Sequence, residues 1–525
     1  MNKSAKATVV HKQIKNNHLF KGTLILTLAG FITRIIGFFY KIFLSNTMGT
    51  EMLGIYQLVF PVYGICFTIY ATGIQSAISR LVAGEKGRRN PKNIYKILIT
   101  GSIVSIGLAC LLSFLVYYYS DYIAYRFILE PRSAQSFKVL AFAFPFCALT
   151  SCINGYYYGL KKTEIPATTQ LIEQIARVII VYIVAFISSK GDLIVTCELA
   201  VFGIVFGEFI SSIYNFLSLF FSREPIKLIH SEADPNAKPA SRRRITKNLL
   251  SLSIPLSANR FFINILLSME TVLIPTMLKR FGLSNSQALS TLGVLNGMAL
   301  PFIMFPSAII NALAVLLLPT ISEAQAINNE KLLGKTSALS IKYSLIVGIM
   351  STGIFVFFGE DLGMSIFANK EAATYITILA WICPLIYLTT TLASIINGLG
   401  KAHITFFNSI AGVMTKIFFI IVLIPRIGIR GYLISLLIGQ LIITVLDTIA
   451  VIRNIPFYFD AVNSLLKPGV IVAFNGFIVK NIYILTKKIT QINEALLVLS
   501  FCLLFCVICM FLFFICKIIR KSDFS

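Results

Sequence analysis

GTLILTLAGFITRIIGFFYKIFL, residues 22–44, settles the fold class: only Arg34 and Lys41 carry charge in a run of membrane-spanning length. A helix of about 20 such residues crosses the roughly 30 Å hydrocarbon core of a bilayer. Comparable runs recur at roughly 53–79, 94–119, 134–160, 165–187 and 193–221, then at 248–279, 288–318, 338–358, 372–399, 404–425 and 430–452. A last pair lies near 463–486 and 494–517. Hydrophobic residues make up 57% of the chain and charged ones 13%, with a mean hydropathy of +0.82. A soluble globule does not hide that much apolar surface in one core. The runs are long and lack period-two alternation, so they satisfy their backbone groups as helices rather than as a barrel. The chain reads as all-α, a polytopic membrane protein of about 14 transmembrane helices.

The organisation expected is a cytosolic N-terminal segment (1–21), a six-helix half (22–221), a basic cytosolic linker (222–247), a second six-helix half (248–452), and a helix pair with a cytosolic tail (453–525). The linker holds Pro225, Pro235, Pro239 and the run Arg242, Arg243, Arg244, too polar to insert. The net charge of +24 falls on alternate loops, as membrane topology demands and a nucleic-acid groove does not. Lys86, Arg88, Arg89, Lys92, Lys96, Lys161, Lys162, Lys331, Lys335 and the linker share one side with both termini. That side is read as the cytosol of a bacterium. The first run has spanning length and no small-residue cleavage site after it, so it reads as a retained helix.

Several chemistries drop out. Cys502, Cys506 and Cys509 have a cluster-like spacing, but Leu, Phe, Val and Ile fill the gaps, which is one face of a buried helix. His11, His18, His230 and His403 lack acidic or cysteine partners at ligand spacing. Gly334, Lys335 and Thr336 end like a phosphate loop, yet Asn329 stands where the first glycine belongs. No cofactor, metal or enzymatic activity is expected, and transport would draw on an ion gradient, the membrane potential or the substrate's own gradient.

An internal repeat relates the halves. Val139–Leu140–Ala141–Phe142–Ala143–Phe144–Pro145 matches Ile378–Leu379–Ala380–Trp381–Ile382–Cys383–Pro384. Ser151–Cys152–Ile153–Asn154–Gly155 echoes Ser394–Ile395–Ile396–Asn397–Gly398, and Lys162 or Lys401 follows. Six spans per half make the repeats parallel, with a pseudo-twofold axis along the membrane normal and substrate expected between the halves.

Charges inside the spans mark the work. A cation near the bilayer centre costs about 2.5 to 3.5 kcal/mol even on a lenient scale, so it lines a wet cavity or meets an anion. Arg34 and Arg260 have no acidic neighbour in sequence; Arg177 and Lys416 occupy matching places in the repeat, and Lys41 follows Arg34 on the first helix. Guanidinium groups clamp phosphates in bidentate fashion, which suits a pyrophosphate-bearing substrate. Structural alternatives stay open: Glu173 lies four residues before Arg177, Lys41 has Glu51 nearby, and Lys416 has Asp447 or Glu270 as partners across helices. Glu173, Glu270 and Asp447 are thus ion-pair or coupling candidates.

Leu28–Ala29–Gly30–Phe31–Ile32–Thr33–Arg34–Ile35–Ile36–Gly37–Phe38, then Gly49, Gly54–Ile55–Tyr56–Gln57 and Ser79–Arg80–Leu81–Val82–Ala83, resemble the stage V sporulation protein B family. That family is a polysaccharide-transport branch of the MOP exporter superfamily. Ile254–Pro255–Leu256, Phe305–Pro306–Ser307 and Leu318–Pro319–Thr320 extend the similarity over nearly the whole chain. The resemblance implies a V-shaped, fourteen-helix exporter related to MurJ-type lipid II flippases and serving spore cortex peptidoglycan. It gives Arg34 that family's cavity arginine. Tyr40, beside Lys41, stands where the family's second arginine would be, and Leu300–Pro301–Phe302–Ile303–Met304 lacks the arginine expected before Phe305. The implied partners are a lipid-linked anionic glycan (undecaprenyl-pyrophosphate type), membrane lipids and cell-wall synthases. A cation-coupled multidrug exporter and a non-transporting scaffold or polymerase for cortex synthesis are the competing readings.

Overall fold

The computed structural model describes residues 3–188, 193–221, 240–456, 459–489 and 493–520, with side chains from residue 25 onward. Residues 222–239, most of the expected linker, lie outside the described set. Among the described residues the regular structure is helical, with no strand. Among the described residues 14 helices, or 15 with the bent α4 pair, are long and apolar enough to cross a membrane; with the two segments of α8 taken as one span they are α1 (Lys3–Met48), α2 (Thr50–Gly87), α3 (Pro91–Tyr118), α4 (Pro131–Ala141 and Ala143–Leu160), α5 (Glu164–Ser188), α6 (Cys197–Phe221), α7 (Arg242–Phe281), α8 (Asn285–Met304 and Ser307–Ala326), α9 (Glu330–Phe367), α10 (Lys370–Gly398), α11 (Ala402–Ile427), α12 (Ile429–Asn454), α13 (Val462–Ile489) and α14 (Glu494–Ile515).

Two of these differ from the sequence reading. The eighth span is two helices, yet Phe305 and Pro306 between them keep helical torsions (φ −58° and −63°), so the chain continues through a proline break without turning back. The last six residues of the expected linker, 242–247, are helical: the Ser241 hydroxyl accepts from the Arg244 amide at 3.3 Å and starts α7 at the arginine run.

The chain packs as two compact units. Unit 1 holds Met1–Tyr40 with Leu58–Val272, and unit 2 holds Lys41–Gln57 with Leu273–Ser525, so they divide inside α1, α2 and α7. Unit 1 is built on Ile78, Val82, Ile94, Ile153, Tyr157 and Leu160, and unit 2 on Leu317, Ile321, Leu333, Leu392, Ile396 and Leu399. Each residue of the first set stands 239 positions before its counterpart in the second.

That offset also governs hydrogen bonds. α4 bends by 46° at Phe142, where Ser113 Oγ donates to the Ala141 carbonyl at 2.7 Å. In α10 a short 3-10 turn, Ala380–Ile382, interrupts the helix, and Thr352 Oγ1 donates to the Ala380 carbonyl at 3.0 Å. Breaking the regular helix weakens carbonyl pairing inside an apolar medium, and each copy adds a hydroxyl from the preceding helix, in α10 beside the Cys383 amide that also donates to Ala380. Helix packing corrects one sequence match: Gly159 lies against the Ser79 carbonyl and Val82, and Gly398 against the Leu318 carbonyl and Ile321. The counterpart of Gly398 is therefore Gly159, one turn beyond Gly155. The close approach around Thr50 is reciprocal within unit 2. A Cβ on Gly54 would overlap the Leu289 carbonyl, and one on Gly293 would overlap the Thr50 carbonyl.

Candidate functional site

In unit 1, α2 and α7 run antiparallel and meet through small and polar residues. Asn264 Nδ2 donates to the Gly64 carbonyl (3.2 Å) and to Thr68 Oγ1 (2.6 Å), Ser268 Oγ donates to the Pro61 carbonyl (3.3 Å), and Gly73 admits Ser257. Asn264 thereby braces α2 just before it widens into a π turn at Thr68–Thr72, and Ser105 Oγ serves the Tyr70 carbonyl within that turn. Such turns persist where surrounding groups satisfy them, often at functional sites. Arg260 sits on α7 between Ser257 and Asn264, about 60° round the helix from the α2-facing stripe. It is exposed and makes no side-chain hydrogen bond or ion pair among the described residues.

Arg34 has the same status: exposed, without a side-chain partner among the described residues. One turn further along α1, Gly37 lies against the Gln174 side chain of α5; a Cβ there would be 3.4 Å from Nε2. Gln174 adjoins a charged group that is already satisfied. Arg177 forms an ion pair with Glu173 one turn earlier and donates to Gln174 Oε1 at 3.4 Å. The structural alternative for Arg177 and Glu173 is thus the observed one.

Glu208 of α6 was not singled out from sequence. It is 6% exposed, accepts from Tyr63 Oη at 3.2 Å, and has Glu173 and Arg177 as charged neighbours. Tyr63 Oη also reaches Cys147 Sγ at 3.6 Å. The signal that reveals Glu208 is the repeat itself: it stands 239 positions before Asp447, as Arg177 does before Lys416.

In unit 2, Asp447 is 1% exposed and accepts from Asn408 Nδ2 at 2.8 Å. Asp447, one of the two partners open to Lys416 in sequence, is met by a neutral amide. Lys416 is half-buried and has interactions of its own, Lys41 is exposed without a side-chain partner among the described residues, and Glu270 of unit 1 is buried with a partner. No group of three or more His, Cys, Asp or Glu residues positioned for a metal occurs among the described residues.

The two bare arginines of unit 1 offer donors for an anion, and Glu173, Arg177 and Glu208 form a charge cluster on α5 and α6. Known proteins share the fold. The chain is similar to stage V sporulation protein B of Bacillus subtilis, 25% identical over 86% of this chain and 87% of that one. Among solved structures it resembles an inward-closed lipid II flippase MurJ (TM-score 0.68, 15% identity, 94% of this chain and 100% of that one). It also resembles an inward-facing multidrug-resistance MATE transporter of the MOP superfamily (TM-score 0.63, 15% identity, 80% and 93%). The profile of a family described as "Polysaccharide biosynthesis protein" matches residues 19–325. The chain belongs to this polysaccharide biosynthesis protein family, and its fold is that of the MOP-superfamily transporters.

Proposed function

We propose that this protein is an alternating-access flippase of the bacterial cytoplasmic membrane, with both termini cytosolic. Its substrate is an undecaprenyl-pyrophosphate-linked peptidoglycan precursor, lipid II first, moved outward for spore cortex synthesis. The observation that carries the reading is that Arg34 and Arg260 stand on apolar helices, exposed and without side-chain partners, while Arg177 is neutralised by its own helix. A bare guanidinium in a span costs about 2.5 to 3.5 kcal/mol, a cost offset when it binds a pyrophosphate through charge-assisted hydrogen bonds. The sporulation protein and the lipid II flippase among its relatives support this substrate class.

Reconstitution tests it. Arg34→Ala and Arg260→Ala at wild-type protein levels should each abolish flipping of fluorescent lipid II in proteoliposomes; full activity of both variants sinks the assignment.

A second reading rests on Glu208 and Asp447, buried carboxylates at equivalent repeat positions. A cation-coupled drug exporter uses such groups to hold a cation or an organic cation. Binding of an organic cation dye, lost in Glu208→Gln and unaffected by Arg34→Ala, favours that reading over the flippase.

A further inference from the structure

Three segments of unit 1 distant in sequence converge at one end of the helices. Lys86 Nζ donates to the Leu160 carbonyl (2.9 Å), tying the α2–α3 loop to the α4–α5 loop. Asn93, 4% exposed, accepts from the Ala240 amide (2.9 Å) while Lys96 Nζ donates to the Ala240 carbonyl (3.2 Å), pinning the segment that enters α7 onto the same loop. The assembled face carries Arg88, Arg89, Lys92, Lys161 and Arg242–Arg244, all exposed. Among the described residues of these segments the acids are Glu85 and Glu164, and Glu85 is engaged by Arg88 at 2.9 Å and by Asn93.

Membrane topology asks for cations on this side, and unit 2 meets it with Lys331, Lys335 and Lys401 at the places of Lys92, Lys96 and Lys162; unit 1 carries more. The equivalent loops of unit 2 close with the same hydrogen bonds: Arg89 and Asn90 amides to the Lys86 and Glu85 carbonyls match Asn328 and Asn329 to Gln325 and Ala324. The Lys161 and Lys162 amides to the Tyr158 and Tyr157 carbonyls match Gly400 and Lys401 to Asn397 and Ile396. On this shared backbone unit 1 has Lys86, Arg88, Arg89 and Lys161 where unit 2 has Gln325, Ile327, Asn328 and Gly400. Two of those cations occupy left-handed positions, Arg89 at φ 53° and Lys161 at φ 63°, which Asn and Gly adopt far more easily. Three more arginines fill the first turn of α7, against the helix dipole. Locally unfavourable choices of one charge at one place call for an anion.

We propose that this face is a binding site for anionic phospholipid headgroups of the adjoining leaflet. The segments lie at the ends of helices apolar enough to cross a membrane, and each Lys or Arg near an anionic bilayer surface adds about fivefold to the attraction. Native mass spectrometry of the full-length protein tests it, with phosphatidylglycerol as probe and phosphatidylcholine as control. The triple variant Arg89→Asn, Lys161→Gly, Arg243→Ala should retain phosphatidylglycerol on the order of 100-fold more weakly. Its first two changes install residues that unit 2 already carries on this backbone, so folding is preserved, and Lys161→Arg should keep the lipid. Phosphatidylglycerol retention within twofold of wild type overturns the proposal. So does loss of lipid II binding alone, which would make the face a substrate site.

Discussion

The two copies of the repeat, residues 50–215 and 289–454, share a scaffold and part at their charges. Core residues, the hydroxyl that serves each bend and the loop-closing hydrogen bonds correspond at one offset. Arg177 and Lys416, Glu208 and Asp447, Tyr63 and Phe302, and Lys161 and Gly400 occupy equivalent places with different chemistry. What both copies keep holds helices together in a medium that cannot solvate backbone; what one copy alone carries is available for function.

The strongest way to break this comparison is through the reciprocal glycines. Gly54→Ala and Gly293→Ala each drive a Cβ into a backbone carbonyl, and each should cost about 3 kcal/mol or more, read as loss of folded protein on size-exclusion after detergent extraction. Unequal outcomes would end the claim of reciprocity. Next, Arg177→Ala should cost about 2 kcal/mol by leaving Glu173 uncompensated, whereas Arg34→Ala should leave the melting temperature unchanged or higher. Equal losses in the two variants would mean that Arg34 has a structural role. Ser113→Ala should cost about 1 kcal/mol by orphaning the Ala141 carbonyl at the bend, and Thr352→Val less, because the Cys383 amide also donates to the Ala380 carbonyl; the two melting shifts read that difference. The smallest effect sharpens the contrast: Lys161→Gly should stabilise by about 0.5 to 1 kcal/mol, because glycine relaxes the left-handed turn.

Much of this was legible in sequence. Apolar runs fixed the crossings, because a membrane leaves helices few alternatives. The Pro145 and Pro384 match related the fourth and tenth spans, since proline occupies few places in a helix. The Gly155 and Gly398 match slipped by one turn for a physical reason. A helix nearly repeats after four residues, and Gly155 and Gly159 both lie against α2, at the Gln75 and Ser79 carbonyls. The break at Phe305–Pro306 was hidden because both residues keep helical torsions and the apolar pattern runs through them. Arg177 and Glu173 were legible as a pair from their spacing. Glu208 was not, since nothing local marks a carboxylate held by a tyrosine 145 positions away. The partner of Asp447 escaped for the same reason: charge arithmetic favours a lysine, and burial was met with the Asn408 amide.

The central claim is that the bare arginines of unit 1 hold a lipid-linked pyrophosphate. Native mass spectrometry of wild type and Arg34→Ala with lipid II, against an uncharged lipid of similar size, tests it most directly. Wild type should bind lipid II selectively, and Arg34→Ala should bind it about 10- to 100-fold more weakly, the worth of charge-assisted hydrogen bonds to one guanidinium. Equal lipid II binding by the two proteins, or no preference over the uncharged lipid in wild type, would contradict it.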